Sequence, residues 1–260
     1  MSFLTALRFL TIIPLPSRRE AGLQEIGRST AYFPVVGLII GLILVGLNWL
    51  LSLLLPPAVV KGLLIVSLVI ITGALHLDGF VDTCDGIAAH QTVEDRWRVI
   101  HDSRAGAFGI VGVFLLLLVK YVSLSSIPDN LLMLTLLLMP VVSRWTMVYA
   151  IFAYPYARPE GLGKAFKEGT GWQSFTAATA ITLGLVIGLA RLANISYFYL
   201  VGLGIIFIAW AVISLAATYL RRKFSGLTGD TYGALNELAE LCVLILVALL
   251  AYNGWLKLAG

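Results

Sequence analysis

Residues 76–86 carry the side chains from which the chemistry of this chain is expected. Three aspartates, Asp78, Asp82 and Asp85, stand four and three residues apart. An α-helix turns by about 100° per residue, so these carboxylates fall within an arc of about 60° on one face. They follow the apolar run 62–75, and carboxylates at the end of a membrane helix are costly unless a cation neutralises them. Hard oxygen ligands suit Mg²⁺ or Mn²⁺, so the spacing predicts a divalent-metal site.

A second polar element follows this acidic stripe. A short charged helix is predicted at Val93–Ile100, and Asp102 and Arg104 come directly after it. If the chain folds back at the membrane surface, Asp102 joins the three aspartates, and four carboxylates can hold one or two metal ions. Arg104 and the glycines after it suit phosphate oxygens, through guanidinium pairing and close backbone approach. The alternative is that Asp102 and Arg104 only cap the next helix.

The composition is that of a membrane protein that crosses the bilayer several times. Of the 260 residues, 59% are hydrophobic and 12% charged, and the mean hydropathy is +0.94. A bilayer core of about 30 Å needs roughly 20 apolar residues per helix. We therefore predict one all-α domain over residues 1–260, a membrane helical bundle that begins with a short interfacial or re-entrant helix at Phe3–Ile13. The seven predicted spans are Tyr32–Leu55, Val60–Leu77, Phe108–Ser125, Leu131–Ala153, Phe175–Leu192, Tyr197–Tyr219 and Leu238–Leu256.

The basic residues are divided unevenly between two sets of connections. Thirteen lie in the N-terminal segment and in the loops around 76–107, 154–174 and 220–237, against three in the other loops and the C-terminal tail. The positive-inside rule then places the N-terminus and the three long loops in the cytoplasm and the C-terminus outside, as in a prokaryotic inner membrane. Since topology explains the net charge of +4, we expect no nucleic-acid partner.

Other polar residues lie within or beside the predicted spans. Arg144 has no neutralising residue nearby in sequence, so we expect it to face the bundle interior and to bind substrate or form an ion pair. Lys120 is expected to extend its ammonium group to the outer surface. Lys164 either holds nucleotide phosphates or serves only as a positive-inside residue. His76 is either a general base or a helix-end histidine bonded to the backbone.

The segment Gly229–Glu240 has the pattern of a helix start. Asp230 can cap the helix that becomes the last span. Alternatively, the positive end of this helix binds a phosphate or ribose, and Asp230 and Thr231 contact the substrate. Glu237 lies farther along the helix, where it faces either the same cavity or the solvated rim of the membrane.

Two functional alternatives come from partial patterns. Residues 82–89 resemble the opening of the Asp-x-x-Asp-Gly-x-x-Ala pattern of CDP-alcohol phosphotransferases, which are metal-dependent membrane enzymes. However, His90 stands where that pattern has Arg, and the later Gly and paired Asp are not at the expected spacing. A cation-coupled transporter is the other alternative, but it should carry its acids near the bilayer midplane and show an internal repeat, which this sequence does not.

A more extensive resemblance rests on five segments spread over nearly the whole chain. They are Tyr32-Phe-Pro-Val-Val-Gly37, residues 76–86, His101-Asp-Ser-Arg-Ala-Gly106, Glu160-Gly-Leu-Gly163 and residues 229–240. In this order they resemble the cobalamin synthase family, adenosylcobinamide-GDP ribazoletransferase. Phe80-Val81 stands where the family's smaller Leu-Ala is expected, which is a conservative departure.

The resemblance implies a Mg²⁺-dependent membrane transferase of the last assembly step of vitamin B12. Such an enzyme transfers the adenosylcobinamide-phosphate moiety of adenosylcobinamide-GDP to the 5′-hydroxyl of α-ribazole, or to α-ribazole 5′-phosphate, and releases GMP. Beyond these substrates and the lipid bilayer, a homo-oligomer or a complex with other enzymes of the pathway is a hypothesis. We then expect Mg²⁺ on Asp78, Asp82, Asp85 and Asp102, a general base among Asp82, Asp102 and His76, and substrate contacts from Arg104, Arg144, Lys164, Asp230, Thr231 and Glu237.

Overall fold

The regular structure of the chain is helical. The structure, a computed structural model, describes residues 2–15, 22–89, 92–93, 95–96, 104–193 and 197–256. A short 3-10 turn at Thr30–Tyr32 joins α2 to α3. The described helices are α1 (Ser2–Leu10), α2 (Leu23–Ser29), α3 (Phe33–Leu51), α4 (Pro57–Ile71), α5 (Leu75–Ala88), α6 (Ala107–Ser125), α7 (Asp129–Ala153), α8 (Leu162–Gly169), α9 (Trp172–Leu192), α10 (Phe198–Phe224) and α11 (Gly229–Tyr252).

The apolar helices form a membrane bundle, as predicted. Within the described ranges, six helices are long and apolar enough to cross a bilayer, or seven if α4 and α5 together make one broken span. Helix α7 is the central one: nearly all of its side chains are buried, and it packs against α3, α9, α10 and α11. By contrast, most side chains of α6, α9 and α10 are at least partly exposed, as expected for helices that face lipid.

Small residues allow α3 to approach the central helix closely. A Cβ atom added to Gly41 would lie 2.7 Å from the carbonyl oxygen of Leu136, and one added to Gly37 would overlap the backbone of Pro140. Backbone contact at small residues is typical of helices packed within a membrane. Gly37 and Gly41 therefore set the distance between α3 and α7.

The prediction of a continuous second span at Val60–Leu77 is wrong. Helix α4 ends at Ile71, and α5 starts at Leu75, after a break of three residues, with its axis turned by 89°. Gly73 and Ala74 both adopt positive φ angles, of 60° and 56°, which end the right-handed helix. Hydropathy is high on both sides of this break, so the apolar pattern concealed it. The turn directs α5 against α6 and the start of α11.

The connections at one end of the bundle are tied together. Tyr156, before α8, and Leu227, before α11, form an isolated parallel bridge. The Leu227 N–H donates to the carbonyl of Pro155, and the Ala157 N–H donates to the carbonyl of Leu227, both at 2.8 Å. The short N-terminal helix α1, which was predicted, reaches the same end through Phe9, whose ring centroid lies 4.5 Å from that of Phe166 in α8. Helices α1, α5, α8 and α11 therefore meet at this end.

Candidate active site

The acidic stripe lies on a helix, as its spacing predicts, but its members differ in environment. Asp78 is exposed, Asp82 is half-buried and Asp85 is buried. The C-terminal end of α5 is closed by Arg96, whose guanidinium donates to the carbonyls of Gly86 and Ile87 at 3.1 and 2.9 Å. A basic side chain on the last carbonyls of a helix stabilises that end, so the whole stripe is held in helical form.

Two glycines bring α5 into backbone contact with α11. A Cβ atom added to Gly79 would lie 2.6 Å from the carbonyl oxygen of Asp230, and one added to Gly233 would lie 3.1 Å from the backbone of His76. Both approaches are closer than an alanine would allow without movement. Gly79 costs helix stability, and this contact is the reason for it.

The contact assembles three carboxylates into what we call the acid cluster: Asp78, Asp82 and Asp230. Asp78 and Asp230 both lie near enough to Asp82 to act on it as negative charges, and Arg158 acts as a positive one. The guanidinium of Arg158 also forms an ion pair with Asp230, at 3.0 Å. Carboxylates from α5 and from the start of α11 thus share one partly open site.

Asp85 belongs to the same stripe but has a different partner. Its two carboxylate oxygens accept hydrogen bonds from the backbone N–H groups of Gly106 and Gly109, at 2.7 and 2.8 Å. These N–H groups lie at the start of α6, where a negative charge is favourable. A Cβ atom at either glycine would lie 2.5 Å from the carboxylate. The glycines expected to approach phosphate oxygens therefore receive the Asp85 carboxylate instead.

A pocket of about 170 Å³ opens beside the acid cluster. Asp78 and Asp230 lie on its lining, together with the buried side chain of His76. The remainder of the lining is largely apolar and comes from α1, α5, α7, α8 and the start of α11. These residues are Phe9, Leu75, Met147, Ile151, Leu162, Gly163, Phe166, Gly229, Tyr232 and Gly233.

Four charged side chains lie deeper in the bundle and form what we call the buried charge cluster: Lys120, Arg144, Glu237 and Glu240. The Lys120 ammonium donates to Glu237 at 2.5 Å and to Glu240 at 2.6 Å. Arg144 pairs with the other oxygen of Glu240. All four are buried, and their formal charges sum to zero. His76 lies within electrostatic reach of this cluster, between it and the pocket.

This cluster corrects one expectation and settles two others. Lys120 does not extend to the outer surface, since it is only 2% exposed and bound by two carboxylates. The two carboxylates supply the opposite charge and the hydrogen-bond acceptors that a buried ammonium needs. Arg144 faces the interior and forms an ion pair, as predicted. Glu237 lies in the interior with Lys120, and not at a solvated membrane rim.

The start of α11 is capped differently from the prediction. Thr228, and not Asp230, is the N-cap: its hydroxyl accepts a hydrogen bond from the Thr231 N–H at 3.2 Å. The Thr231 hydroxyl in turn accepts one from the Thr228 N–H at 2.7 Å, which completes a capping box. Since Thr231 is fully buried in this box, its position is structural, while Asp230 is left to face the acid cluster.

The remaining predicted residues lie around the same end. Lys164 donates to the carbonyl of Pro159 at 2.6 Å and lies 3.7 Å from Glu168, so its ammonium is engaged at the surface of α8. Arg104 is exposed just before α6. Asp102 lies outside the described residues. Partial burial raises the pKa of the Tyr156 phenol in the loop before α8, so this side chain is neutral at physiological pH.

Several residues of the site escaped sequence reasoning. Tyr232 and Phe9 line the pocket, but an aromatic residue in an apolar chain carries no distinguishing signal. Arg158 pairs with Asp230 across 72 positions, and one sequence cannot reveal such a pairing. The spacing of Glu237 and Glu240 by one turn, beside a Lys and an Arg placed in other spans, was the available signal for a buried ionic group.

Comparison with known proteins gives consistent results over almost the whole chain. A family model described as cobalamin-5-phosphate synthase matches residues 2–248. A curated adenosylcobinamide-GDP ribazoletransferase of Geotalea daltonii is 39% identical over 251 residues, covering 95% of this chain and 97% of the relative. Those of Desulfitobacterium hafniense and Roseiflexus sp. are 38% and 35% identical, covering 92% and 95% of this chain and 93% and 88% of the relatives. No solved structure matches.

Proposed function

We propose a specific reaction for this chain, which belongs to the cobalamin-5-phosphate synthase family and has cobalamin synthase activity. It transfers the adenosylcobinamide-phosphate moiety of adenosylcobinamide-GDP to α-ribazole, or to α-ribazole 5′-phosphate, and releases GMP. The observation that carries this proposal is the acid cluster beside a partly apolar pocket, because the reaction brings a charged pyrophosphate together with a nucleoside that has an apolar base.

We propose a different attacking atom from the 5′-hydroxyl of α-ribazole that the sequence resemblance implies. The family description names a 5-phosphate product, so the 5′ position of the ribazole carries phosphate both before and after the transfer. We therefore place the attack at a ring hydroxyl of the ribose and not at the 5′-hydroxyl. With α-ribazole as acceptor, the same ring hydroxyl reacts and the 5′-hydroxyl stays free.

The proposed step requires a base and little covalent work from the protein. A ribose hydroxyl attacks the phosphorus that carries cobinamide, a new P–O bond forms, and the bond between the two phosphates breaks. Asp82, half-buried beside the pocket, accepts the proton of the attacking hydroxyl. The two substrates must be held in line, since positioning and charge stabilisation dominate phosphoryl transfer. Asp102 and His76 are the alternative bases.

The acid cluster fits a magnesium ion that arrives with the pyrophosphate. Among the described residues, no three His, Cys, Asp or Glu side chains are close enough to hold a metal ion by themselves. Mg²⁺ commonly takes one or two carboxylates and completes its shell with substrate phosphates and water. Asp78 and Asp230, which both lie on the pocket lining, are the residues that would hold it, with Asp102 as a further candidate, and Asp82 is left to act as the base. When bound, the ion would stabilise charge on the pyrophosphate and on the leaving GMP. Asp85 we assign to holding α6 in place.

We also place the acid cluster on the cytoplasmic side of the membrane. The basic residues Arg158, Lys164 and Lys167 lie in the connection at this end, and α10 ends there with Arg221, Arg222 and Lys223. An excess of Lys and Arg marks the cytoplasmic face. Helix α11 starts at the pocket and continues for 24 residues, about 36 Å, so its end lies at the opposite face.

The test is GMP release by the protein purified in detergent, with adenosylcobinamide-GDP, Mg²⁺ and either α-ribazole or its 5′-phosphate. We expect Asp82→Asn to lower kcat by about 100-fold or more, because a positioned base contributes about that much. Its melting temperature should stay within about 2 °C of that of the wild type, since Asp82 is only half-buried.

Asp129→Asn is the matched control. Its carboxylate is 83% exposed at the start of α7, at the opposite end of the bundle, and the variant should keep wild-type kcat. A wild-type protein that releases no GMP with either acceptor, or that consumes a CDP-alcohol instead, would refute the proposed reaction. An undiminished kcat in Asp82→Asn would retain the reaction and remove Asp82 as its base.

A further inference from the structure

The size of the pocket limits which part of a substrate it can hold. Its volume of about 170 Å³ is below the roughly 300–1,000 Å³ of sites that enclose a whole drug-sized ligand. A corrin ring or a complete nucleotide is therefore too large for it. A single bicyclic ring is of the right order, with the remainder of the molecule outside the mouth.

The walls of the pocket favour an apolar aromatic ring. Phe9, Met147, Ile151 and Phe166 contribute hydrocarbon and aromatic surface, and Tyr232 is held in place by stacking on Tyr156, with ring centroids 6.3 Å apart. Aromatic and Met side chains pack well on flat rings. A base with a strongly polar edge would lose its hydration against these walls without compensation.

Two polar side chains on the pocket lining have no hydrogen-bond partner in the part of the chain that the structure describes. Tyr232 is 3% exposed and His76 is 2% exposed, and both line the pocket. Neither the Tyr232 hydroxyl nor either ring nitrogen of His76 has a hydrogen-bond partner among the described residues. Buried polar groups are almost always paired, so this exception points to a ligand that supplies the partner.

We propose that this pocket binds the benzimidazole base of the acceptor nucleoside, with the Tyr232 hydroxyl donating a hydrogen bond to the free ring nitrogen. This inference rests on the proposed function. The dimethylbenzimidazole of α-ribazole presents one free ring nitrogen and otherwise carbon, which matches a pocket of apolar walls with few polar side chains. Guanine presents several donors and acceptors on its edge and matches these walls less well.

The arrangement also orients the acceptor for the reaction. Asp78 and Asp230 lie on the lining of the same pocket, so a ribose attached to the buried base emerges beside the acid cluster. The ring hydroxyls then face the carboxylates, and adenosylcobinamide-GDP approaches from the open side. The pocket therefore selects the acceptor base and places its ribose for attack.

The test separates the Michaelis constants of the two substrates. Tyr232→Phe removes only the hydroxyl, and we expect it to raise KM for the ribazole acceptor by about tenfold while KM for adenosylcobinamide-GDP changes less than about twofold. Tyr252→Phe is the matched control, because Tyr252 is 91% exposed at the far end of α11. A rise in KM for adenosylcobinamide-GDP alone, or an unchanged KM for the acceptor, would overturn the proposal.

A second measurement uses only the wild-type protein, so it does not depend on how a variant folds. We expect calorimetry to show binding of α-ribazole, and binding about tenfold weaker for an analogue with indole in place of benzimidazole, which lacks the acceptor nitrogen. Equal affinities would exclude the hydrogen bond to the ring nitrogen. Because binding is measured without turnover, an inactive protein that binds α-ribazole selectively would refute the proposed reaction and retain the pocket.

Discussion

The acid cluster and the buried charge cluster share α11 but treat charge in opposite ways. In the buried cluster, Lys120 and Arg144 face Glu237 and Glu240, so both carboxylates have a cationic partner. In the acid cluster, the carboxylates of α5 lie close to that of Asp230, although all of them are negative. Arg158 acts on Asp82 as a positive charge and forms an ion pair with Asp230. Asp230 and Glu237 are seven residues apart, or about 10 Å along the helix.

From this difference we expect the buried charge cluster to support stability and the acid cluster to support function. A balanced and fully buried ionic group is needed for the fold once it is present, because removal of one partner leaves a charge in a low-dielectric interior. An accumulation of like charges at a partly open site destabilises the free protein and favours a cationic ligand. Each variant below changes a residue in or beside one of the two clusters.

The largest effect is expected from Glu240→Gln. This change leaves Lys120 and Arg144 with one carboxylate between them, which should lower the free energy of unfolding by about 3–5 kcal/mol. The measurement is the yield of monodisperse protein in detergent and its thermal unfolding. Glu168→Gln, on the exposed side of α8, is the matched control and should change stability by less than about 1 kcal/mol. A Glu240→Gln protein as stable as the wild type would show that the buried cluster is not structural.

An intermediate effect is expected from Gly79→Ala, which moves the acid cluster and leaves the buried cluster unchanged. The added methyl group meets the Asp230 backbone at 2.6 Å, so α5 and α11 must separate. We expect a loss of about 1–3 kcal/mol in stability and at least about a tenfold loss of kcat/KM, because the carboxylates no longer hold their relative positions.

Gly184→Ala provides the control for the glycine at position 79. It lies in α9, where an added Cβ atom meets nothing within 4 Å. This variant should keep wild-type activity and gain slightly in stability, as helices usually do when Gly becomes Ala. If Gly79→Ala is also fully active, the close contact between α5 and α11 is not required by the site.

The smallest effect is expected from Asp85→Ala, which tests whether all acids of the stripe act alike. Removal of this carboxylate leaves the Gly106 and Gly109 N–H groups unpaired, so unfolding should become easier by about 1–2 kcal/mol. Asp82→Ala should show the reverse: normal thermal unfolding and little turnover. An Asp85→Ala protein with wild-type stability but no activity would place Asp85 among the residues that contact metal or substrate.

The sequence was sufficient for features with a local pattern. The helical spacing of Asp78, Asp82 and Asp85, the apolar spans and the interior position of Arg144 all follow from short-range rules, and the structure agrees with them. The turn at Gly73–Ala74 escaped these rules, because hydropathy averages over a backbone break of three residues.

Long-range pairing is the other part that sequence reasoning did not reach. Arg144 and Glu240 are 96 positions apart, and Lys120 and Glu237 are 117 apart. Each residue alone is compatible with several roles, and only the packing of α6, α7 and α11 selects one of them. The same holds for Tyr232, which becomes informative only because its buried hydroxyl has no hydrogen-bond partner among the residues that the structure describes.

The pocket has a consequence for how this protein is made. Its lining takes Phe9 from the first helix, Asp78 from α5 and Tyr232 from the last helix. During translation, the early helices enter the membrane long before residues 229–233 leave the ribosome. A nascent chain therefore has no site, and a chain truncated before α11 lacks both Asp230 and one wall of the pocket. The pocket and the acid cluster are therefore complete only when the final helix has been inserted.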